Sequence, residues 1–264
     1  MFPLTGLESR HLTYKMKITS VLTAVNDNPR YTRFIPLFIH TWKRLYPTLI
    51  VRIIYIGSEL PVNLSAYSDS IILFPPIEGV STVYTSQTIR ILYPALLGEN
   101  ETTVITDMDM LPANTSYFSS LVSEVPSDAF LTFRDPRCVS PDQIAICYNA
   151  ASTAVWKKVF GISTLDDIRT FLKERYDTRT DGLHGGQGWC SDQILLRQYV
   201  MSSGVPVLTL NDAGYSRLDI YDHKYDISTF VRMFKTSKYS DAHLYSHECM
   251  WSARDLEVVY RSLD

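Results

Sequence analysis

The sequence predicts an α/β fold, a mixed and mostly parallel sheet flanked by helices, and three observations carry that prediction. Short β-branched, apolar runs alternate with segments of helical periodicity over roughly the first 200 residues. Each apolar run is stopped by Gly, Pro or a polar turn. No internal repeat or low-complexity linker divides residues 1–264, so one domain is the economical reading.

The elements follow in order. Residues 18–25 (ITSVLTAV) read as a buried strand that ends at the turn Asn26-Asp27-Asn28-Pro29. Residues 31–46 place Phe34, Leu37, Phe38, Thr41, Trp42 and Leu45 at helical spacing, and Pro47 closes the segment. Strands are expected at 51–56, 70–74 and 103–106, with a helix at 82–97 between the last two. Residues 129–133 and 143–147 are shorter strand candidates, 148–160 and 166–176 are helical, and 177–188 form a Gly-rich loop. A helix at 191–202 and a strand at 205–210 follow. Beyond Asn211 the pattern is irregular, rich in Tyr, His and Asp.

Composition narrows the function classes. Hydrophobic residues make up 45% and charged residues 20%, ordinary for a chain with a packed core. A formal net charge of -3 offers no basic field for wholesale nucleic-acid binding. Cys138, Cys147, Cys190 and Cys249 contain no CxxC pair, which argues against a zinc site and fits reduced thiols. The amino-terminal residues lack a continuous apolar stretch, and no segment reaches the length that spans a bilayer. A cytoplasmic location is therefore expected, and the sequons at Asn63, Asn100 and Asn114 read as chance matches. No G-x-G-x-x-G follows the first strand, which disfavours a dinucleotide-dependent dehydrogenase.

The sharpest feature is ITDMDMLP, at 105–112. If the chain stays extended past its strand, Met108 and Met110 point into the core, and Asp107 and Asp109 point together the other way. Ligands bind at the carboxyl edge of open α/β sheets, and two carboxylates on one face repel unless a cation lies between them. Mg²⁺ or Mn²⁺ suits oxygen ligands of this kind and keeps positions open for phosphate oxygens.

With these residues the chain resembles a GT-A-fold glycosyltransferase, a Rossmann-related class of nucleotide-sugar-dependent enzymes with a D-x-D motif after the fourth strand. The likeness rests on LTAVNDNPRY, on the helix YTSQTIRILYPALL and on ITDMDMLP. It implies transfer of a sugar from a nucleotide-diphosphate donor, a UDP- or GDP-sugar, to a hydroxyl of a glycan or other acceptor, with Mn²⁺ or Mg²⁺ as cofactor. Thr23, Ala24, Asn26 and Asp27 are then expected around the base and ribose, and Gln87 and Arg90 on the helix face toward the nucleotide. Asp109 is the expected metal ligand, and Asp107 contacts the ribose or shares the metal. A nucleotide-binding half would cover about residues 17–112, and a half that receives the acceptor and completes the metal site about 113–264.

The second half offers less. Asp192 opens a helix after the Gly-rich loop, in a Trp-Cys-Ser-Asp-Gln stretch similar to acidic motifs of two transferase groups, one inverting and one retaining. It is the candidate base for an acceptor hydroxyl, with helix capping as the competing role. Trp189 is placed to stack on a sugar ring or to pack in the core. His243, with His247 second, is expected as a third metal ligand backed by Asp241, and His184 is a candidate to close over the donor phosphates. The stereochemical outcome and the sugar stay open. A phosphatase of the haloacid dehalogenase type also carries D-x-D, but on its first strand, whereas here three strands precede it. A non-catalytic nucleotide-sugar or carbohydrate-binding protein is the remaining alternative.

Overall fold

The structure is a computed structural model that describes residues 14–134, 140–180, 185–219, 226–236, 238–244 and 251–263. Seven strands form the main sheet in the order β3-β2-β1-β4-β7-β6-β8. They are β1 (Ser20–Asn26), β2 (Ile50–Ile56), β3 (Ile71–Phe74), β4 (Thr102–Ile105), β6 (Phe130–Thr132), β7 (Asn149–Ser152) and β8 (Val207–Thr209). Only β7 runs against the rest: it is antiparallel to β4 and to β6, while the β1–β2, β2–β3, β1–β4 and β6–β8 pairs are parallel. The carboxyl ends of β1, β4 and β6 therefore lie along one edge.

Strand alternation sorts the core into two layers. Val21, Val25, Ile53 and Val104 face one apolar cluster, which α2 (Ile35–Leu45) covers with Phe38 and Trp42. Leu22, Ala24, Ile54 and Ile105 face the other, under α3 (Thr82–Leu92), α5 (Thr153–Phe160), α6 (Leu165–Arg175) and α7 (Ser191–Ser202). A strand buried on both faces reads as a continuous apolar run, which is why ITSVLTAV is legible. Arg52 of β2 reaches Glu101, before β4, through a fork of 2.6 and 3.0 Å contacts.

Three expectations need correction. Residues 143–147 are not a strand. The strand is β7, inside the segment read as a helix, and Asn149 Nδ2 donates to the carbonyls of Ala145 (2.7 Å) and Ile146 (2.9 Å), tying the preceding turn to it. The helix expected at 31–46 is broken into α1 (Pro29–Thr32) and α2, because Pro36 supplies no N–H in the first turn of α2. The tail is not irregular. A second sheet of β5 (Met110–Pro112), β9 (Ser216–Asp219) and β10 (Tyr239–His243) forms in the order β5-β10-β9, with α8 (Ile227–Phe234) and α9 (Ala253–Ser262) beside it. Asn114 is 9% exposed, and its side-chain oxygen accepts from Ser116 N at 2.8 Å to cap α4 (Thr115–Phe118), a poor place for a glycan.

Candidate active site

A cavity of about 550 Å³ opens at the edge shared by β1, β4 and β6, within the usual range for small-molecule sites. The chain reaches it by leaving one sheet for the other. After β4 it does not stay extended: Met108 and Asp109 form a turn, closed by Met110 N donating to Asp107 O at 3.3 Å, and Met110 then opens β5. The turn still buries Met108 and Met110 and leaves Asp107 and Asp109 both lining the cavity.

One wall comes from the first half. Ala24 and Asn26, at the end of β1, line it. Asn26 is fixed by donating to Thr82 Oγ1 (3.2 Å) and accepting from Asn28 N (3.3 Å). From α3 come Val83, Ser86, Gln87 and Arg90, whose spacing puts them on one helix face. Gln87 Nε2 lies 3.5 Å from the Trp189 carbonyl, and Trp189 lines the cavity too. Thr23 and Asp27 are not among the lining residues. The period-two alternation that aims Ala24 toward the α3 layer buries Thr23 on the opposite face, and Asp27 is exposed past the strand end.

Arg90 does not face solvent. It is 8% exposed and sits between two carboxylates, with Nη1 on Asp107 Oδ1 and Nη2 at 2.7 Å from Asp192 Oδ2. Burial lowers the guanidinium's proton affinity, but the two aspartates outweigh it and hold the pKa above the ordinary arginine value. Asp192 is 1% exposed. Burial pushes its carboxyl up, while Arg90 pulls it back down. Asp192 lies in the first turn of α7, whose N-cap is Cys190, and its Oδ1 accepts from Gln193 N at 2.8 Å, so it is not the capping residue.

The facing wall comes from the second half. β10 pairs antiparallel with β5, which sets His243 opposite Met110. His243 Nε2 then lies 3.7 Å from Asp109 Oδ2. Its Nδ1 lies 3.8 Å from Asp219 Oδ1, on β9, so the neighbour behind it is Asp219 and not Asp241. Asp241 is fully buried and pairs instead with Arg134, Nη2 to Oδ1 at 2.7 Å. Arg134 also holds Asp212 at 2.9 Å and the Cys147 carbonyl at 3.1 Å. Arg134 and Arg217 both line the cavity and carried no signal in the sequence reading, although Arg134 does follow a strand end on the ligand-binding edge. Cys147 lines it as well, its thiol pushed up to about 12 chiefly by burial and therefore protonated at neutral pH. His184 and His247, and Cys138 and Cys249, lie outside the described residues.

Among the described residues no three His, Cys, Asp or Glu side chains gather as a metal cage. Asp109 and His243 nonetheless offer a hard oxygen and an imidazole nitrogen at a separation that suits two ligands of one cation. Mg²⁺ and Mn²⁺ commonly take only one or two protein ligands and complete their shell with phosphate and water, so this open pair fits either ion. Asp107, held by Arg90, is the poorer first ligand. No described helix is long and apolar enough to cross a membrane.

By sequence the chain matches no protein-family model and no curated protein. By structure it is similar to glycosyltransferases. An active-site mutant of LgtC superposes over 92% of this chain and 95% of its own, with a TM-score of 0.52 at 11% identity. The glycosyltransferase GlyE of Streptococcus pneumoniae TIGR4 does so over 94% of this chain and 60% of its own, with a TM-score of 0.50 at 14% identity. The likeness is one of fold: this chain has the mixed, mostly parallel sheet and flanking helices of GT-A glycosyltransferases.

Proposed function

We propose that this protein is a glycosyltransferase that moves a sugar from a nucleotide-diphosphate donor, a UDP- or GDP-sugar, to an acceptor hydroxyl with the help of Mn²⁺ or Mg²⁺. The observation that carries the reading is the approach of Asp109, in the turn that enters β5, to His243 of the neighbouring strand β10, in the cavity that Asp107 also lines. The base and ribose would lie against Ala24 and Asn26, at the carboxyl end of β1. Asp109 and His243 would hold the cation. When bound, the cation supplies charge neutralisation as the nucleoside diphosphate departs.

Arg90 holds Asp107 and Asp192 at fixed positions across the cavity floor. Asp192 is the candidate to take the acceptor hydroxyl's proton. Its carboxyl is raised by burial, and a carboxylate has lone pairs to spare beyond the two contacts it makes.

Thermal shift with UDP-, GDP- and dTDP-sugars, with and without Mn²⁺, tests the donor half of the reading. A rise in melting temperature that needs both sugar nucleotide and cation is expected, since a ligand that binds only the native state stabilises it by mass action. Binding with neither transfer nor donor hydrolysis would leave a non-catalytic binding protein. Phosphate release from simple phosphomonoesters would favour a phosphatase.

A further inference from the structure

The wall that faces the nucleotide side carries two arginines, and each is already matched. Arg134 follows β6 and Arg217 stands on β9, and both line the cavity, with side chains 10% and 25% exposed. Arg217 Nε meets Asp219 at 2.5 Å. Arg134 meets two carboxylates, Asp212 at 2.9 Å and Asp241 at 2.7 Å. Three aspartates thus stand against two arginines, and on the opposite wall Arg90 is matched by Asp107 and Asp192. A sugar nucleotide and a divalent cation bring opposite charges of equal size, so they leave this balance as it is.

The second carboxylate on Arg134 is the informative one. Asp241, fully buried on β10, pairs with the guanidinium by itself. Asp212 is added to it through Asn211, Asp212 and Ala213, which take consecutive left-handed conformations with φ of 50°, 56° and 46°. Non-glycine residues in that region cost about 1–3 kcal/mol each and persist where the surroundings impose them, most often at ligand sites. Tyr117 donates to Asp212 at 2.8 Å and so holds the carboxylate against the arginine. The result is a guanidinium whose charge is more than cancelled, yet whose described partners use three of its five N–H donors and leave two for the cavity. Such a group can donate to a neutral oxygen, while an anion gains no net attraction from it.

We propose that Asp212 and Asp219 set the charge specificity of the acceptor. By cancelling the charges of Arg134 and Arg217 they make this wall a subsite for a neutral saccharide, whose hydroxyl oxygens accept from the arginines, and they exclude acidic sugars. This rests on the transferase reading for the word acceptor, but the charge selectivity has its own test.

Titration calorimetry of the full chain with glucose and glucuronic acid, which differ at C6 alone, provides it, run once with the chain alone and once with saturating UDP and Mn²⁺. Glucose is expected to bind at least about 10-fold tighter than glucuronic acid under both conditions, the scale on which an unmatched like charge lowers affinity. Asp212→Asn is the decisive variant. Asparagine tolerates the left-handed backbone, keeps an oxygen for Tyr117 and removes only the charge. It should raise the affinity for glucuronic acid about 10-fold and leave that for glucose nearly unchanged. Asp219→Asn should do the same through Arg217, and it keeps the test open if the first variant fails to fold. A response in one variant alone names the arginine that the acceptor meets. Equal binding of the two sugars overturns the proposal, and so do preference for the acid, binding of neither sugar, or a selectivity that survives in both variants. UDP and Mn²⁺ binding without selectivity for glucose sinks this inference alone. Selectivity for glucose in a chain that binds no UDP sinks the transferase reading and keeps the subsite.

Discussion

The cavity's two walls use the same device and reach it by different routes. On the β1–α3 wall, Arg90 lies between Asp107 and Asp192. On the β9–β10 wall, Arg134 lies between Asp212 and Asp241. Each is a buried guanidinium with a carboxylate on either side. Arg90 meets Asp107, 17 residues away, through a helix and the strand after it, and only its second partner, Asp192, is distant at 102 residues, whereas both partners of Arg134 are distant, Asp212 at 78 residues and Asp241 at 107. Local pattern can place a side chain at a strand end. Long-range strand pairing decides what stands opposite.

The largest effect should come from breaking either clamp. Arg90→Gln leaves Asp192 buried without its cation, and loss of one partner of a buried pair costs about 3–5 kcal/mol. Arg134→Gln should cost as much if the walls are equivalent. Urea unfolding of both variants reads the difference directly. A loss under 1 kcal/mol in either would mean that water or rearrangement satisfies the stranded carboxylate, and that the resemblance of the two clamps is superficial. Next in size is the pair that joins the walls. Asp109→Ala should lower transfer by about 100- to 1000-fold and abolish the Mn²⁺-dependent thermal shift, while the fold stays intact. Undiminished turnover would remove the site assignment. Smaller again is the residue behind His243. Asp219→Asn removes the carboxylate 3.8 Å behind His243 and the charge that Arg217 Nε meets at 2.5 Å, and should weaken Mn²⁺ affinity by about 10-fold, as loss of an outer carboxylate does. Titration of Mn²⁺ followed by electron paramagnetic resonance separates that outcome from a structural one. If Asp241→Asn had the greater effect on metal affinity, the placement of Asp219 would be wrong.

What was legible in the sequence follows the same division. The strands β1 and β4 were readable because both of their faces are buried, and β2 and β3 because their runs are apolar and rich in isoleucine, although Leu73 of the edge strand β3 is exposed. α7 was readable to the residue at both ends. Asp107 and Asp109 were placed in one cavity by an argument from extended backbone, yet a turn does the placing, and it leaves both carboxylates lining the cavity although Asp109 is buried and Met108 lines the cavity beside them. β7 was missed because NAAS carries no β-branched residue, and Asn149 reads as a helix neighbour until its ties to Ala145 and Ile146 are seen. β9 and β10 were missed for a different reason. SRLD and YSDAH are mostly polar, and their polar side chains are spent on Arg134, Asp219 and His243, so the apolar alternation that marks a strand is absent where the site needs charge.

A change outside both walls calibrates these effects, and the amino terminus of α6 supplies one. Thr164 Oγ1 accepts from Asp167 N at 3.1 Å, and Asp167 accepts in return from Thr164 N at 2.8 Å. Thr164→Ala should cost about 0.5–2 kcal/mol and leave donor binding untouched. The Asp167 carboxyl adds a pH signature. The backbone N–H of Ser163, then that of Thr164, hold it below its ordinary value of 3.8. A depressed carboxyl contributes stability above its unfolded-state value, and that contribution is lost as pH falls through the lower folded-state value. The melting temperatures of the native chain and of Asp167→Asn should therefore differ at neutral pH and converge below about pH 4, the ordinary carboxylate range. A gap that persists in acid would mean that the two backbone donors are satisfied without the charge.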